Sequence, residues 1–164
     1  MLYFAYGSNL NQKQMKIRCK DSYFIKSISL KGYSLTFRSK YGAADIEKKK
    51  NSKVMGALYE ISKSDEKRLD IYEEYPILYK KMYFNYYNNE IMTYIMVKQS
   101  TYKKPTEKYL NTISCSAYVL IFLYLGMTPA ADAAARTVLV TAAKAFIKAD
   151  CTAGSLIARS MMAP

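Results

Sequence analysis

Residues Tyr3-Phe4-Ala5-Tyr6-Gly7-Ser8-Asn9-Leu10 run from a buried-type strand straight into a Gly-Ser-Asn turn, and a helix pattern follows from Asn11. This succession commits the N-terminus to a strand-turn-helix unit. Gly7 can take a positive φ and let a ligand approach the backbone, while Ser8 or Asn9 can cap the helix. The amides of the turn and first helical residues would then point at a small, partly positive site suited to a carboxylate or phosphate. Taken alone, the unit serves equally well as an ordinary capped turn or as a binding loop.

At 164 residues the chain suits one domain with its own core. Lys and Arg total 25 against 13 Asp and Glu, a formal charge of +12 whose field attracts anions. The lysines are spread among Tyr, Asn and Ile through the first two-thirds, not gathered on one face. No helix-turn-helix spacing, zinc-finger pattern or aromatic ribonucleoprotein motif accompanies them, so no nucleic-acid partner is expected. Histidine is absent, which removes Ser-His-Asp and Cys-His catalysis and every His-ligated metal site. Cys19, Cys115 and Cys151 are far apart and odd in number, which indicates neither a disulfide framework nor a thiolate cluster. No metal or cofactor is expected, and a cytoplasmic location fits both the cysteine usage and an N-terminus without the zones of a secretory signal.

Met1 to Ala5 reads as a strand and Asn11 to about Lys20 as a short polar helix, with Leu10, Met15 and Ile17 available for packing. Period-two alternation over Tyr23 to Phe37 predicts two strands turning at Lys31-Gly32, followed by a loop at Tyr41 to Ile46 and a solvated hairpin tip over Glu47 to Lys53. Val54 to Ile61 is a strand with both faces buried. Ser62 with Asp65 three residues later forms a capping-box pattern that opens a helix through Leu69 and Tyr72, ended by Pro76. Tyr79 to Tyr87 and Ile91 to Val97 read as a β-hairpin around Asn88-Asn89, and Pro105 precedes a short helix over Thr106 to Ile113.

Near Ser114 the composition shifts from Lys, Tyr, Asn and Ile to Ala, Thr and small aliphatics, so two parts are expected: a domain over 1–113 and a distinct extension over 114–164. Within the extension, Ala117 to Met127 is a continuous apolar run, shorter than the roughly 18–20 residues that span a bilayer. No membrane association is expected. Pro129 to Asp150 reads as an alanine-rich helix, and the extension suits a packed tail, an oligomer contact or a segment foreign to the domain.

With histidine missing, proton transfer falls most naturally to a carboxylate, and the best cluster is Leu69-Asp70-Ile71-Tyr72-Glu73-Glu74-Tyr75-Pro76. On a helix Asp70 and Glu73 share a face, while Glu74 is turned away by about 100°. Burial beside Tyr72 and Tyr75 would raise a glutamate toward the pKa of a general acid and base; a solvated acidic helix end is the competing use of the same residues.

Together these pieces resemble the gamma-glutamylcyclotransferase-like family. The resemblance is carried by Tyr3 to Leu10, by Gly42-Ala43-Ala44-Asp45-Ile46, by Val54 to Ile61, by Leu69-Asp70 with Glu73, by Tyr79 and by Pro105 to Ile113. It implies a small α+β fold on a mixed, barrel-like sheet, and the cyclisation of a γ-glutamyl amine or peptide to 5-oxoproline. It further implies that Tyr6, Gly7, Ser8, Asn9 and Leu10 grip the glutamyl group, that Glu73 is the general acid and base, and that Tyr79 lines the pocket. The expected partner is therefore a small γ-glutamyl substrate. A catalytically silent module binding a small carboxylate on the same fold is the alternative. The family usually carries Gly after the catalytic glutamate, where this chain has Glu74.

Overall fold

The computed structural model describes residues 1–113. Its elements run β1 (Leu2–Ala5), a 3-10 turn (Ser8–Leu10), α1 (Gln12–Arg18), β2 (Tyr23–Arg38), β3 (Ala43–Glu60), α2 (Lys63–Tyr72), β4 (Tyr79–Tyr86) and β5 (Asn89–Met96). A further helical stretch covers 107–113. The expected extension over 114–164, with its apolar run and alanine-rich helix, lies outside the described residues. Among the described residues no helix is long and apolar enough to cross a membrane.

The sheet has five strands in the order β2-β3-β1-β5-β4. β1 sits at its centre, antiparallel to β3 and parallel to β5, which makes the sheet mixed. A central strand covered on both faces must be apolar throughout, and Tyr3, Phe4 and Ala5 are all buried. Phe4 fills a space that Gly56 leaves open, since a Cβ on Gly56 would lie 2.2 Å from the Phe4 ring and 2.5 Å from the Ala5 carbonyl. Burying that ring contributes about 2–3 kcal/mol.

β2 and β3 pair from Tyr23↔Glu60 to Arg38↔Ala43, with irregularities between Phe24 and Lys26 and between Lys31 and Tyr33. The expected turn at Lys31-Gly32 is therefore a bulge within one long strand. Gly32, with φ +79, makes it without the steric cost a side chain would bring. The predicted hairpin tip at Glu47 to Lys53 is likewise strand, and the chain reverses earlier, between Ser39 (φ +65) and Gly42 (φ +61). The β4–β5 turn sits one residue before the expected Asn88-Asn89, with Tyr87 and Asn88 in the left-handed region.

The sheet curves as a barrel does, but it is not closed. β2 and β4 are its edges, and the gap is spanned by side chains. Tyr33 Oη donates to Met82 Sδ at 3.5 Å, Tyr79 Oη donates to the Ala44 carbonyl at 2.6 Å, and Asp45 Oδ1 accepts the Met96 N–H at 2.9 Å. Asp45 is fully buried, with Arg38 Nε 3.3 Å away; Arg38 also donates to Glu47 and to the Ser100 carbonyl. The expected barrel-like mixed sheet is thus an open one, bridged by side chains along its seam, and the candidate site lies there.

Candidate active site

At the C-terminal end of β1 the chain turns through Tyr6 and Gly7 into the 3-10 turn. Gly7 has φ −107, so the expected positive φ is absent. Close approach favours glycine there: a Cβ would stand 3.2 Å from Ala44 Cβ and 3.4 Å from Tyr109 Oη, tight enough that a neighbour would have to shift by a few tenths of an ångström. The helix cap is Asn11, whose side chain accepts the Gln14 N–H at 3.1 Å, and not Ser8 or Asn9. With its first turn capped from within, α1 presents no anion site of its own. The polar groups of the turn face sideways into the seam. Met15 packs as expected and is fully buried, whereas Ile17 is largely exposed.

The second wall comes from the end of α2. Its N-terminus carries the predicted capping box, Ser62 Oγ accepting the Asp65 N–H at 3.0 Å, and Leu69 anchors it in the core. Glu73 closes the helix with its N–H donating to the Leu69 carbonyl at 2.8 Å. The next residue, Glu74, has φ +51, where the Cβ of an L-residue crowds the backbone. That conformation accounts for the glycine usual in the resembling family. Glu74 itself stands exposed, outside the cleft.

These two walls meet. Asn9 Nδ2 donates to Glu73 Oε1 at 2.9 Å, across 64 residues of chain, and to Tyr3 Oη at 2.9 Å. Around them a cleft of about 290 Å³, mouth included, is lined by Tyr6, Gly7, Ser8, Ala44, Tyr79, Tyr94 and Tyr109 as well. Of the predicted site residues, Tyr6, Gly7, Ser8, Asn9, Glu73 and Tyr79 all line it. Leu10 does not, being buried beneath the turn. Asp70 turns away, held by the Tyr94 hydroxyl at 2.6 Å and Lys81 at 2.9 Å, so it orients a cleft tyrosine without facing the cleft.

Burial pushes the Glu73 carboxyl up to about 7, against the pull of the Arg18 charge and the Asn9 hydrogen bond. Burial likewise raises the phenols of Tyr3, Tyr6, Tyr79, Tyr94 and Tyr109, the last to about 12. Near neutrality Glu73 alone in this lining exchanges a proton. The hydroxyls divide by what they already bond. Those of Tyr6, Tyr79 and Tyr94 donate to Tyr94 O, Ala44 O and Asp70. Those of Tyr3 and Tyr109 accept, from Asn9 Nδ2 and from the Ala44 N–H at 3.2 Å, and so keep a proton to give. Among the described residues no three acidic or cysteine side chains converge on a metal-sized site.

Tyr3, Tyr94, Tyr109 and Arg18 join the site without a role legible in the sequence. Their signal is weak, because tyrosine occurs 17 times in the chain and nothing in a strand or helix pattern separates a lining ring from a packed one.

The family model for gamma-glutamyl cyclotransferase, AIG2-like proteins matches residues 3–118. The chain belongs to this family. Solved structures share the gamma-glutamyl cyclotransferase-like fold. One titled gamma-glutamyl cyclotransferase is 23% identical with a TM-score of 0.62, over 73% of this chain and 79% of that one. An uncharacterized protein from Homo sapiens is 21% identical with a TM-score of 0.61, over 84% and 85%. YkqA from Bacillus subtilis is 18% identical with a TM-score of 0.65, over 92% of this chain and 55% of its own. At these identities the likeness is one of fold. No curated protein matches the chain.

Proposed function

We propose that this protein cyclises a γ-glutamyl amine or peptide to 5-oxoproline and releases the amine, with Glu73 as general acid and base. The observation that supports it most directly is the Asn9–Glu73 hydrogen bond, which sets a proton-exchanging carboxylate against the opening turn in one tyrosine-lined cleft. The α-ammonium of the substrate gives a proton to Glu73, and the freed amine attacks the γ-carbonyl carbon. A bond from the α-nitrogen to that carbon forms, and Glu73 passes its proton to the leaving nitrogen as the bond from that carbon breaks. The second proton, shed by the α-nitrogen as it becomes the lactam N–H, passes through the same carboxylate to the released amine, which departs as an ammonium. One carboxylate serves both transfers.

Because attack is intramolecular, holding the glutamyl chain curled supplies several kcal/mol of barrier reduction. Backbone groups of Tyr6, Gly7, Ser8 and Asn9 hold the amino-acid end in this scheme. The free protons of Tyr3 and Tyr109 suit a carboxylate or the developing oxyanion. Tyr79, its hydroxyl committed to Ala44, offers its ring. The exposed position of Glu74 keeps a second carboxylate out of the cleft and favours turnover over a silent, ligand-binding role.

Incubation with a panel of γ-glutamyl amines, followed by chromatographic detection of 5-oxoproline, tests the proposal. Wild-type protein should form the lactam, and Glu73→Gln should slow it by about 10²–10⁴-fold without unfolding. If no amine in the panel yields 5-oxoproline the proposal fails, and binding of glutamate or 5-oxoproline without turnover would then support the carboxylate-binding module.

A further inference from the structure

Among the described residues Asn9 is the only hydrogen-bond donor to the Glu73 carboxylate, and an asparagine side chain has two ends of nearly equal size. With the amide reversed, its oxygen would face the carboxylate and repel it. What determines the orientation lies on α1. Arg18 Nη1 donates to Asn9 Oδ1 at 2.6 Å, which leaves both protons of Nδ2 for Glu73 and Tyr3.

We propose that Arg18 is the positioning residue of this cleft, holding the Asn9 amide so that its N–H faces Glu73 and fixing which carboxylate oxygen is left toward the substrate. The guanidinium is itself anchored on two sides. Nη2 donates to Gln14 Oε1 at 2.9 Å, one helical turn back, and Cζ lies 3.8 Å over the Tyr72 ring. Tyr72 Oη in turn meets Ser8 Oγ at 3.0 Å, so the stacked pair ties the end of α2 to the opening turn. Arg18 touches none of the reacting atoms in this scheme; it acts through Asn9.

Arginine contributes here both a charge and a planar fork, and lysine replaces only the charge. That difference allows positioning to be separated from electrostatics. Three readouts apply to Arg18→Lys and Arg18→Met: the ¹³C titration of the Glu73 carboxyl, assigned by its loss in Glu73→Gln; the Asn9 side-chain amide signals; and kcat with KM for lactam formation. The phenols facing Glu73, those of Tyr3, Tyr6, Tyr79, Tyr94 and Tyr109, stay protonated through neutrality, and Asp70 on the same helix is held by Lys81. The Glu73 midpoint therefore registers the Arg18 charge and, to a smaller extent, the Asn9 hydrogen bond.

Arg18→Lys should keep KM near wild type, yet move the Asn9 amide signals toward those of a free side chain, raise the Glu73 midpoint slightly through the loosened Asn9 hydrogen bond, and lower kcat about tenfold. Arg18→Met should move the Asn9 signals and lower kcat likewise, and raise the midpoint further because the charge is lost as well. A wild-type kcat with unmoved Asn9 signals in Arg18→Lys would overturn the proposal, because charge alone would then account for Arg18. Unmoved Asn9 signals in a folded Arg18→Met would overturn it as well. Only the kinetic arm rests on the cyclotransferase reading. If wild-type protein makes no lactam that reading fails, and the Asn9 signals still decide whether Arg18 positions the amide.

Discussion

Replacing Glu73 by Gln should stabilise the folded protein, by an amount that grows with pH. Folded, the carboxyl keeps its proton up to about 7, because burial disfavours the anion more than Arg18 and Asn9 favour it; its ordinary value is 4.5. Below 4.5 both folded and unfolded chains carry the protonated acid, and the group does not affect stability. Between 4.5 and 7 the unfolded chain releases the proton while the folded chain holds it, so each pH unit removes about 1.4 kcal/mol. Above 7 both states are ionised and the penalty is complete. The interval amounts to about 3 kcal/mol, or about 2–3 kcal/mol once solvent screening of a partly buried carboxyl is allowed for. Gln has the oxygen needed to accept the Asn9 hydrogen bond and no charge to bury. Urea unfolding of both proteins at pH 5, 6, 7 and 8 reads the difference directly. It should be about 1 kcal/mol at pH 5 and about 2–3 kcal/mol at pH 8. A difference that is flat across this range, or that favours the wild type at pH 8, would refute the claim that the cleft holds Glu73 against ionisation.

In the proposed reaction, kcat/KM should rise with pH through a midpoint near 7, since only ionised Glu73 can take the ammonium proton; a flat profile from pH 5 to 8 would remove Glu73 from the chemistry. Gly56→Ala should cost about 2–3 kcal/mol in urea unfolding, because the added methyl overlaps the Phe4 ring and the Ala5 carbonyl, both within 2.5 Å of its position. An unchanged midpoint would mean that Phe4 packs elsewhere. Glu74→Gly should raise stability by about 0.5–1 kcal/mol: relief of the left-handed conformation, ~1–2 kcal/mol, exceeds the entropy glycine adds to the unfolded chain. Thermal unfolding measures it, and a loss of stability would argue against φ +51 at this position.

Local signals in the chain marked local structure well. The capping box at Ser62 and Asp65, the apolar strand at the N-terminus and the doubly buried strand after Val54 all formed where their patterns lie. The long hairpin departs from its local signals. Glu47 to Lys53 is polar because its strand borders solvent beyond the bulge, and a wet strand carries the same residues as a wet loop. Gly32 signalled a positive φ correctly, but a bulge and a turn need the same backbone. In the site, Glu73 and the turn were marked by family resemblance, and their meeting is visible only in the fold. Tyr94 and Tyr109 reach the cleft from β5 and from the stretch over 107–113, elements whose residue patterns describe packing alone.

The amino-acid sequence by itself determined the available chemistry. Without histidine, proton transfer near neutrality falls to a carboxylate or a thiol, and a strand-turn-helix unit opens the domain. Tertiary structure decided which carboxylate can act and at what pH. Asp70 and Glu73 lie three residues apart on one helix, yet one is ion-paired with Lys81 and the other is enclosed beside Asn9. The physical reason is that a proton affinity belongs to a group's surroundings. Those surroundings are assembled from β1, α1, α2, β4, β5 and the stretch over 107–113, and exist only after the open seam of the sheet has brought them together.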